Sequence, residues 1–199
     1  MNDIPTARAY EFAKAAFASI GQKRKYSGDN YIVHSEAVVR ILEQCGEDDQ
    51  NVLVAALLHD VAEDVSPHNP EYDSYEILRH FGAKVANYVL DLTDEFTFDK
   101  YPNMNRAERK SLEAKRISTI SDNALKIKLA DILHNTADIK KVDPTFSTIY
   151  LSEKEQILGL LYPRMMTTEN VVLKTIYHRV KAQLEFNNPP RQNFWQNTQ

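Results

Sequence analysis

The strongest constraint on the fold of this chain is an apolar run at residues 51–62, in which every position from Val52 to Leu58 is apolar. A helix that is apolar nearly all round has to be covered by neighbours on every side. The run therefore predicts a buried central helix surrounded by other helices. Its end turns polar abruptly at His59-Asp60, and both side chains are costly to bury unless they bind something.

The rest of the chain favours helices as well. Only 5 glycines occur among 199 residues, and no segment shows the alternation of a half-buried strand. We predict an all-α, single-domain bundle of about eight to ten helices over residues 1–186, followed by a loosely held tail at 187–199. The predicted helices are 7–20, 35–45, 51–62, 74–81, 83–92, 105–120, 124–140, 150–161 and 167–186.

Charge and cysteine content narrow the function classes. A formal net charge of −4 argues against a broad nucleic-acid surface but leaves room for a phosphorylated small molecule, bound by a local basic cluster or a metal. The single cysteine, Cys45, excludes an intrachain disulfide and is expected to be a small buried residue. Residues 1–13 carry charges and no signal-like apolar run, and no later segment is typical of a membrane span. We therefore expect a cytoplasmic protein that does not bind membranes.

A histidine and three carboxylates follow the apolar run. Spacing of four residues puts Glu63 over His59 and Asp64 over Asp60, on adjacent tracks of one helix face. Clustered carboxylates repel one another, so the pattern indicates a cation that neutralises them. The alternative is an ordinary solvated helix end, because the dipeptide His-Asp is common.

Two further residues strengthen the metal hypothesis. His34 lies where the second helix should begin, and Asp131 interrupts an apolar helix face. Each alone is typical of a cap or a solvated position. Together with His59-Asp60 they supply two imidazoles and two carboxylates from three helices, a mixed set that suits Mn²⁺, with Fe²⁺, Co²⁺ or Zn²⁺ possible.

The order His, His-Asp, Asp resembles the signature of the HD superfamily of metal-dependent phosphohydrolases. The surrounding residues are similar to the hydrolase domains of RelA/SpoT-type proteins and to small stand-alone, Mesh1-like alarmone hydrolases, in consistent order over residues 5–165. The matching segments are Arg24-Lys25, Tyr31-Ile32-Val33-His34, residues 55–60, Glu63-Asp64, residues 81–85, Leu92-Thr93-Asp94, Lys128-Leu129-Ala130-Asp131 and His134-Asn135.

This resemblance implies an HD-type bundle and a role for each site residue. Glu63 and Asp64 would handle the attacking water, one positioning it and one moving its proton. The reaction implied is removal of the 3′-diphosphate of (p)ppGpp as pyrophosphate, leaving GDP or GTP. The implied Mn²⁺ ligands are His34, His59, Asp60 and Asp131. The implied substrate-binding residues are Arg24, Lys25, Asn135, Tyr150 and Lys154.

Two departures from the family pattern leave the substrate open. Ser35 stands where proline is common, and Thr136-Ala137-Asp138 replaces the usual Leu-Arg-Asp, which removes a basic residue near the site. Alternatives are an HD hydrolase of another nucleotide, such as an NADPH 2′-phosphatase, or an antitoxin that removes pyrophosphate from modified tRNA. A non-catalytic alarmone sensor would not need Glu63 and Asp64, and a helical interaction module would bind no metal. The oligomeric state is open.

Overall fold

The computed structural model describes residues 4–188, and this part of the chain is built from helices joined by short connections. Its only extended pairing is an isolated antiparallel bridge between Lys23 and Asn30. The predicted all-α fold is thus confirmed. The helices are α1 Ile4–Ser19, α2 Ile32–Gln44, α3 Gln50–Leu58, α4 Ser74–Leu92, α5 Arg106–Ile117, α6 Asp122–Thr136, α7 Ile139–Val142, α8 Pro144–Thr167 and α9 Val171–Asn187, with a π-helical turn at Val61–Val65 and a 3₁₀ turn at Pro70–Tyr72.

The centre of the bundle is α3, as its apolar sequence predicts. All seven residues from Val52 to Leu58 are buried, and the helix packs against α1, α2, α4 and α6. The other central element is α6, which packs against α2, α4 and α9 and buries ten of its fifteen residues. Since α2, α3 and α6 meet in the core, side chains at their facing positions are held by packing on several sides.

Most helices begin at a side-chain cap that the sequence encodes locally. An Asp, Asn or Ser side chain accepts a backbone N–H of the first turn and satisfies a donor that the helix itself leaves free. The α5 helix has a full capping box, in which Asn105 and Glu108 each accept from the backbone of the other. The other capping residues of this kind are Asp49, Asp73, Ser121, Asp143 and Asn170.

Glycine breaks the α4 helix as the sequence predicts. Gly82 has φ +83°, a left-handed conformation that side chains other than glycine rarely adopt, and it kinks the helix between its two predicted halves. A second glycine with positive φ, Gly21 at +65°, follows the last turn of α1.

Several predicted boundaries are wrong. The helix predicted at 35–45 begins at Ile32, so His34 lies inside α2. The helix predicted at 51–62 ends at Leu58. The helix predicted at 150–161 begins six residues earlier, because Asp143 caps it and Pro144 occupies its first turn, where no backbone N–H is needed. Of the helix predicted at 124–140, the α6 part ends at Thr136.

The carboxyl end of α9 is tied to the core. Asn187 is buried and its side-chain amide donates to the backbone oxygen of Thr136 at 3.1 Å. The predicted tail continues beyond it, and residues 189–199 lie outside the described part, so the domain boundary at 186 stays a prediction. Across residues 4–188, none of the helices has both the length and the apolar character needed to cross a bilayer.

Candidate functional site

Three predicted metal ligands meet in the core of the bundle. His34 comes from α2, His59 follows the last residue of α3, and Asp131 comes from α6. Each offers a nitrogen or oxygen ligand atom within 4.8 Å of the other two. His34 Nε2 is 3.2 Å from Asp131 Oδ1 and 3.3 Å from His59 Nε2. The three residues are 0%, 3% and 8% exposed, respectively, so the packing of three elements holds the cluster.

Asp60 lies at the same cluster. Its Oδ2 atom is 3.1 Å from His59 Nε2 and 3.6 Å from His34 Nε2. The hydroxyl of Tyr31 donates to this oxygen at 2.8 Å, which fixes the orientation of the carboxylate. The structure thus places all four predicted ligands together. His59 and Asp60 directly follow the last residue of α3, Leu58, and both lie next to His34 of α2.

The hydrogen bonds of the two histidines suit metal ligation. His59 Nδ1 is 2.8 Å from the carbonyl oxygen of Ala56, which can only accept, so Nδ1 carries a proton and Nε2 is the nitrogen that faces the cluster. His34 Nδ1 is 2.7 Å from Nδ1 of His134, and one of these nitrogens donates. Burial, followed by His34 and Arg24 nearby, lowers the pKa of His134 to about 4, which leaves it neutral and able to accept.

The electrostatics of the cluster also favour a cation. Burial would raise the pKa of Asp60, but His59 outweighs it and lowers this pKa to about 2. Burial would lower the pKa of His59, but the charges of Asp60 and Asp131 raise it well above its ordinary value. The two carboxylates therefore attract positive charge into a buried site. The two imidazole nitrogens and two carboxylates could hold a divalent first-row metal ion.

Glu63 and Asp64 lie beyond the last residue of α3, in the π-helical turn Val61–Val65. The Asp64 backbone N–H donates to the carbonyl oxygen of Asp60 at 2.8 Å, so these two residues keep the four-residue helical spacing. Glu63 Oε2 accepts the backbone N–H of Asp94 at 2.9 Å, whereas Asp64 Oδ2 accepts from the side chain of Gln22 at 2.6 Å.

The negative charge of Asp60 acts on both of these carboxyl groups. Burial, followed by the charge of Asp94, raises the pKa of Glu63 to about 7. Burial and the charge of Asp60 raise the pKa of Asp64 as well. A carboxyl group whose pKa lies near neutral pH can both accept and donate a proton under physiological conditions. Glu63 therefore has the properties of a proton carrier.

A cavity of about 750 Å³ opens beside the cluster. Its walls come mainly from the loop before α2, the end of α6, α7 and the first turns of α8. Four of the five predicted substrate-binding residues line it, namely Arg24, Lys25, Asn135 and Tyr150. The volume is in the range of a nucleotide site.

Hydrogen bonds connect this cavity to the cluster. Arg24 donates to the side-chain oxygen of Asn135 at 2.9 Å, and the Asn135 amide donates to Asp131 Oδ1 at 2.5 Å. The Arg24 guanidinium also lies 5.5 Å from the ring centroid of Tyr31. Lys25 is more loosely held, 3.5 Å from Asp143 Oδ2. Arg24, Asn135 and the ligand candidate Asp131 thus form one continuous chain of hydrogen bonds.

Lys154 is placed differently from the other four. It does not line the large cavity but reaches a small cleft, and its ammonium lies 4.5 Å from the ring centroid of Tyr150.

Two further residues contact the site although no role was predicted for them. Gln22 contacts Asp64, and His134 contacts His34. His134 could have been found from its position three residues after Asp131 on one helix. Gln22 could not, because its contact joins residues 42 apart in the chain.

Comparison with known families agrees with this site. The model of the HD domain family matches residues 9–158, which span α2, α3 and α6 and therefore all four ligand candidates. The chain belongs to the HD domain family.

Two curated relatives and one solved structure narrow the resemblance. The chain is 40% identical over 115 residues to guanosine-3′,5′-bis(diphosphate) 3′-pyrophosphohydrolase MESH1 of Xenopus tropicalis, covering 57% of this chain and 58% of the relative. It is 39% identical over 125 residues to the Homo sapiens MESH1, covering 62% and 64%. The chain thus matches about three fifths of the length of these relatives. A solved structure, described as a metazoan ortholog of SpoT that hydrolyzes ppGpp, superposes with a TM-score of 0.68 at 26% identity, over 90% of this chain and 97% of the other.

Proposed function

We propose that this protein is a metal-dependent hydrolase that removes the 3′-diphosphate of guanosine 3′,5′-bis(diphosphate) or its pentaphosphate analogue as pyrophosphate. The observation that carries the proposal is the buried cluster of His34, His59, Asp60 and Asp131, which adjoins both an acidic pair and a large cavity with basic residues on its wall. The relatives named for this reaction support the choice of substrate.

The four ligand candidates would hold Mn²⁺, which their mixed nitrogen and oxygen donors suit. When bound, such an ion lowers the pKa of water and stabilises negative charge on the phosphoryl group. Tyr31 holds the Asp60 carboxylate, and Asn135 holds that of Asp131.

Glu63 and Asp64 divide the handling of the attacking water. Asp64, oriented by Gln22, positions the water against phosphorus. Glu63 takes the proton of that water as the new P–O bond forms and the bond from phosphorus to the ribose O3′ breaks. The same proton then passes to O3′, which leaves the nucleotide with a free 3′-hydroxyl and releases pyrophosphate. A pKa of about 7 suits Glu63 to this two-way transfer.

Arg24 and Lys25 would contact the guanine base or the 5′-phosphates from the wall of the cavity, with Tyr150 as an aromatic surface. Arginine suits this position because its planar group pairs with phosphate and stacks on a purine. The cytoplasmic location expected from the lone Cys45 stays a prediction.

Pyrophosphate release from ppGpp by the purified, Mn²⁺-loaded protein tests the proposal, beside a Glu63→Ala, Asp64→Ala double variant. We expect rapid release by the wild type and loss in the variant with metal content retained. Release that survives in the variant would contradict the role of the acidic pair. No release from metal-loaded wild type would reject this substrate, and NADPH, other nucleotides and modified tRNA would be assayed next.

A further inference from the structure

A second, smaller cleft of about 50 Å³ lies beside the cluster. Its walls come from the connection after α4 and from α5, α6 and α8, and three lysines line it, one from each of these helices: Lys110, Lys128 and Lys154. A single water needs about 10–15 Å³ of such volume, so this cleft holds a few waters or one phosphate group and excludes a nucleoside.

The acidic residues of the cleft already have cationic partners. Each of its three carboxylates makes an ion pair of 2.6–2.8 Å, and Glu113 also accepts the backbone N–H groups of Glu95 and Phe96. The pairs are Asp94 with Lys110, Glu113 with Arg116 and Glu153 with Arg106. These carboxylates are therefore already paired. Of the other two lysines, Lys128 forms an ion pair with Asp131 at 3.7 Å, so Lys154 is the lysine of the cleft that lacks a carboxylate partner among the described residues.

Lys154 makes no hydrogen bond or ion pair with any residue in the range 4–188, and its described contact is with the face of the Tyr150 ring. Burial lowers the pKa of Lys154 to about 8, with Lys128 nearby acting in the same direction, so it still carries charge at neutral pH. A half-buried ammonium without a partner is costly, and an anion in the cleft would offset that cost.

Lys128 links the cleft to the cluster. It lies one helical turn before Asp131 on α6, with its Nζ atom 3.7 Å from Asp131 Oδ2, too long for a hydrogen bond. Asp94, on another wall of the cleft, donates its backbone N–H to Glu63. The Tyr150 ring lines the large cavity and also lies under the ammonium of Lys154. The cleft therefore adjoins the metal cluster, the proton carrier and the nucleotide cavity at once.

We propose that this cleft binds the distal phosphate of the 3′-diphosphate, with Lys154 and Lys128 as its cations, and thereby selects diphosphate over monophosphate esters. The inference rests on the proposed function and specifies its substrate class. With the nucleoside in the large cavity and the proximal phosphorus at the cluster, the second phosphate would lie in this cleft, which combines a suitable volume with an unpartnered cation, Lys154.

The test compares two substrates that differ by one phosphate. The Mn²⁺-loaded protein is assayed on ppGpp and on guanosine 5′-diphosphate 3′-monophosphate, alongside Lys154→Met, which keeps the length of the side chain and removes the charge. We expect the wild type to prefer the 3′-diphosphate at least tenfold in kcat/KM. Lys154→Met should lose roughly 10- to 100-fold on ppGpp, the value of a charge-assisted hydrogen bond, and little on the monophosphate.

Lys181→Met is the matched control, because Lys181 is half exposed on α9 and pairs only with Glu185 at 3.8 Å; it should leave both rates unchanged. Lys154→Gln serves as a second variant if the methionine variant fails to fold. An equal loss on both substrates, or no loss, would overturn the distal-phosphate site.

A binding measurement separates this proposal from the proposed function. Calorimetry of inorganic pyrophosphate and inorganic phosphate with the Mn²⁺-loaded protein requires no turnover. We expect tighter binding of pyrophosphate by the wild type and a reduction of that difference in Lys154→Met. If ppGpp is not hydrolysed but this difference appears, the proposed substrate fails and the cleft stands. Equal affinity for the two anions in both proteins would reject the cleft.

Discussion

The metal-ligand cluster and the large cavity are neighbours built in opposite ways. The cluster is drawn from α2, α6 and the turn after α3, and its His34 is fully buried. The cavity is lined by the polar loop before α2, where the side chain of Lys25 is 72% exposed. Packed helices hold ligand atoms in fixed positions, whereas loops can vary without disturbing the core. If the proposed function holds, the chemistry belongs to the packed core, and the choice of nucleotide belongs to the rim, meaning the polar loop that lines the large cavity.

The largest effect is expected from removing a core ligand. Loss of a residue that only hydrogen-bonds to a metal ligand lowers metal affinity roughly 10- to 100-fold. Asp131→Ala removes a ligand candidate itself, so it should lower Mn²⁺ affinity by more than this and should abolish hydrolysis. Metal content and a thermal shift with Mn²⁺ measure this: wild type at 100 times its Kd gains about 2.7 kcal/mol and the variant gains none. Asp99→Ala, an exposed aspartate, should behave as wild type. Full metal content in the Asp131 variant would place the ion elsewhere.

Glu63→Gln should lower kcat by roughly 10²- to 10⁴-fold, the usual contribution of a general acid–base group, with metal retained. The amide keeps an oxygen to accept the Asp94 N–H, so the positioning of the turn is preserved. Single-turnover rates and metal analysis on the same sample measure this. A variant that loses its metal together with its activity would instead make Glu63 part of the cluster.

The raised pKa of Glu63 gives a pH test in metal-stripped protein. With a folded pKa of about 7 and an ordinary value of 4.5, the native state binds more protons than the unfolded state between these pH values. This carboxyl group therefore destabilises the fold progressively as pH rises from 4.5 through 7. Glu63→Gln should match the wild type near pH 4.5 and exceed it by about 1–3 kcal/mol above pH 7 in urea unfolding. A difference that does not change with pH would contradict the raised pKa.

On the rim, Arg24→Ala should raise KM for ppGpp about tenfold while kcat stays within about threefold, because a charged hydrogen bond to substrate is lost. Steady-state kinetics with Arg40→Ala as control checks this, since Arg40 is an exposed arginine that pairs only loosely with Glu36 at 3.9 Å. Loss of bound metal in the Arg24 variant would mean that its link through Asn135 supports the cluster rather than the substrate.

The smallest effect is expected at Lys25. This lysine is exposed and already lies near Asp143, so Lys25→Ala should raise KM only about two- to threefold. The difference should shrink further in high salt, which screens exposed charges. Steady-state kinetics at two ionic strengths measures this. An effect as large as that of Arg24→Ala would show that Lys25 contacts the substrate more strongly than its exposure indicates.

Sequence patterns predicted the helices well where the signal is local. The apolar run predicted a buried α3, and Gly82 predicted the break in α4. Predictions were weaker where a cap outside the apolar pattern sets a boundary, as at Asp143, which starts α8 six residues early. Apolar periodicity reports which face is buried, whereas the first turn of a helix depends on hydrogen bonds to a few polar residues.

What the sequence alone determined is the set of candidate residues: His34, His59-Asp60 and Asp131 in an order typical of a family, with the acidic pair Glu63-Asp64 directly after His59-Asp60. Only the tertiary structure decided which other residues these side chains contact and which pocket each one lines. It turned Glu63 toward Asp94 and Asp64 toward Gln22, and it placed Lys154 in a separate cleft behind Tyr150. The reason is physical: the contacts of Glu63 with Asp94 and of Asp64 with Gln22 join residues 31 and 42 positions apart, so their geometry depends on how whole helices pack rather than on local spacing.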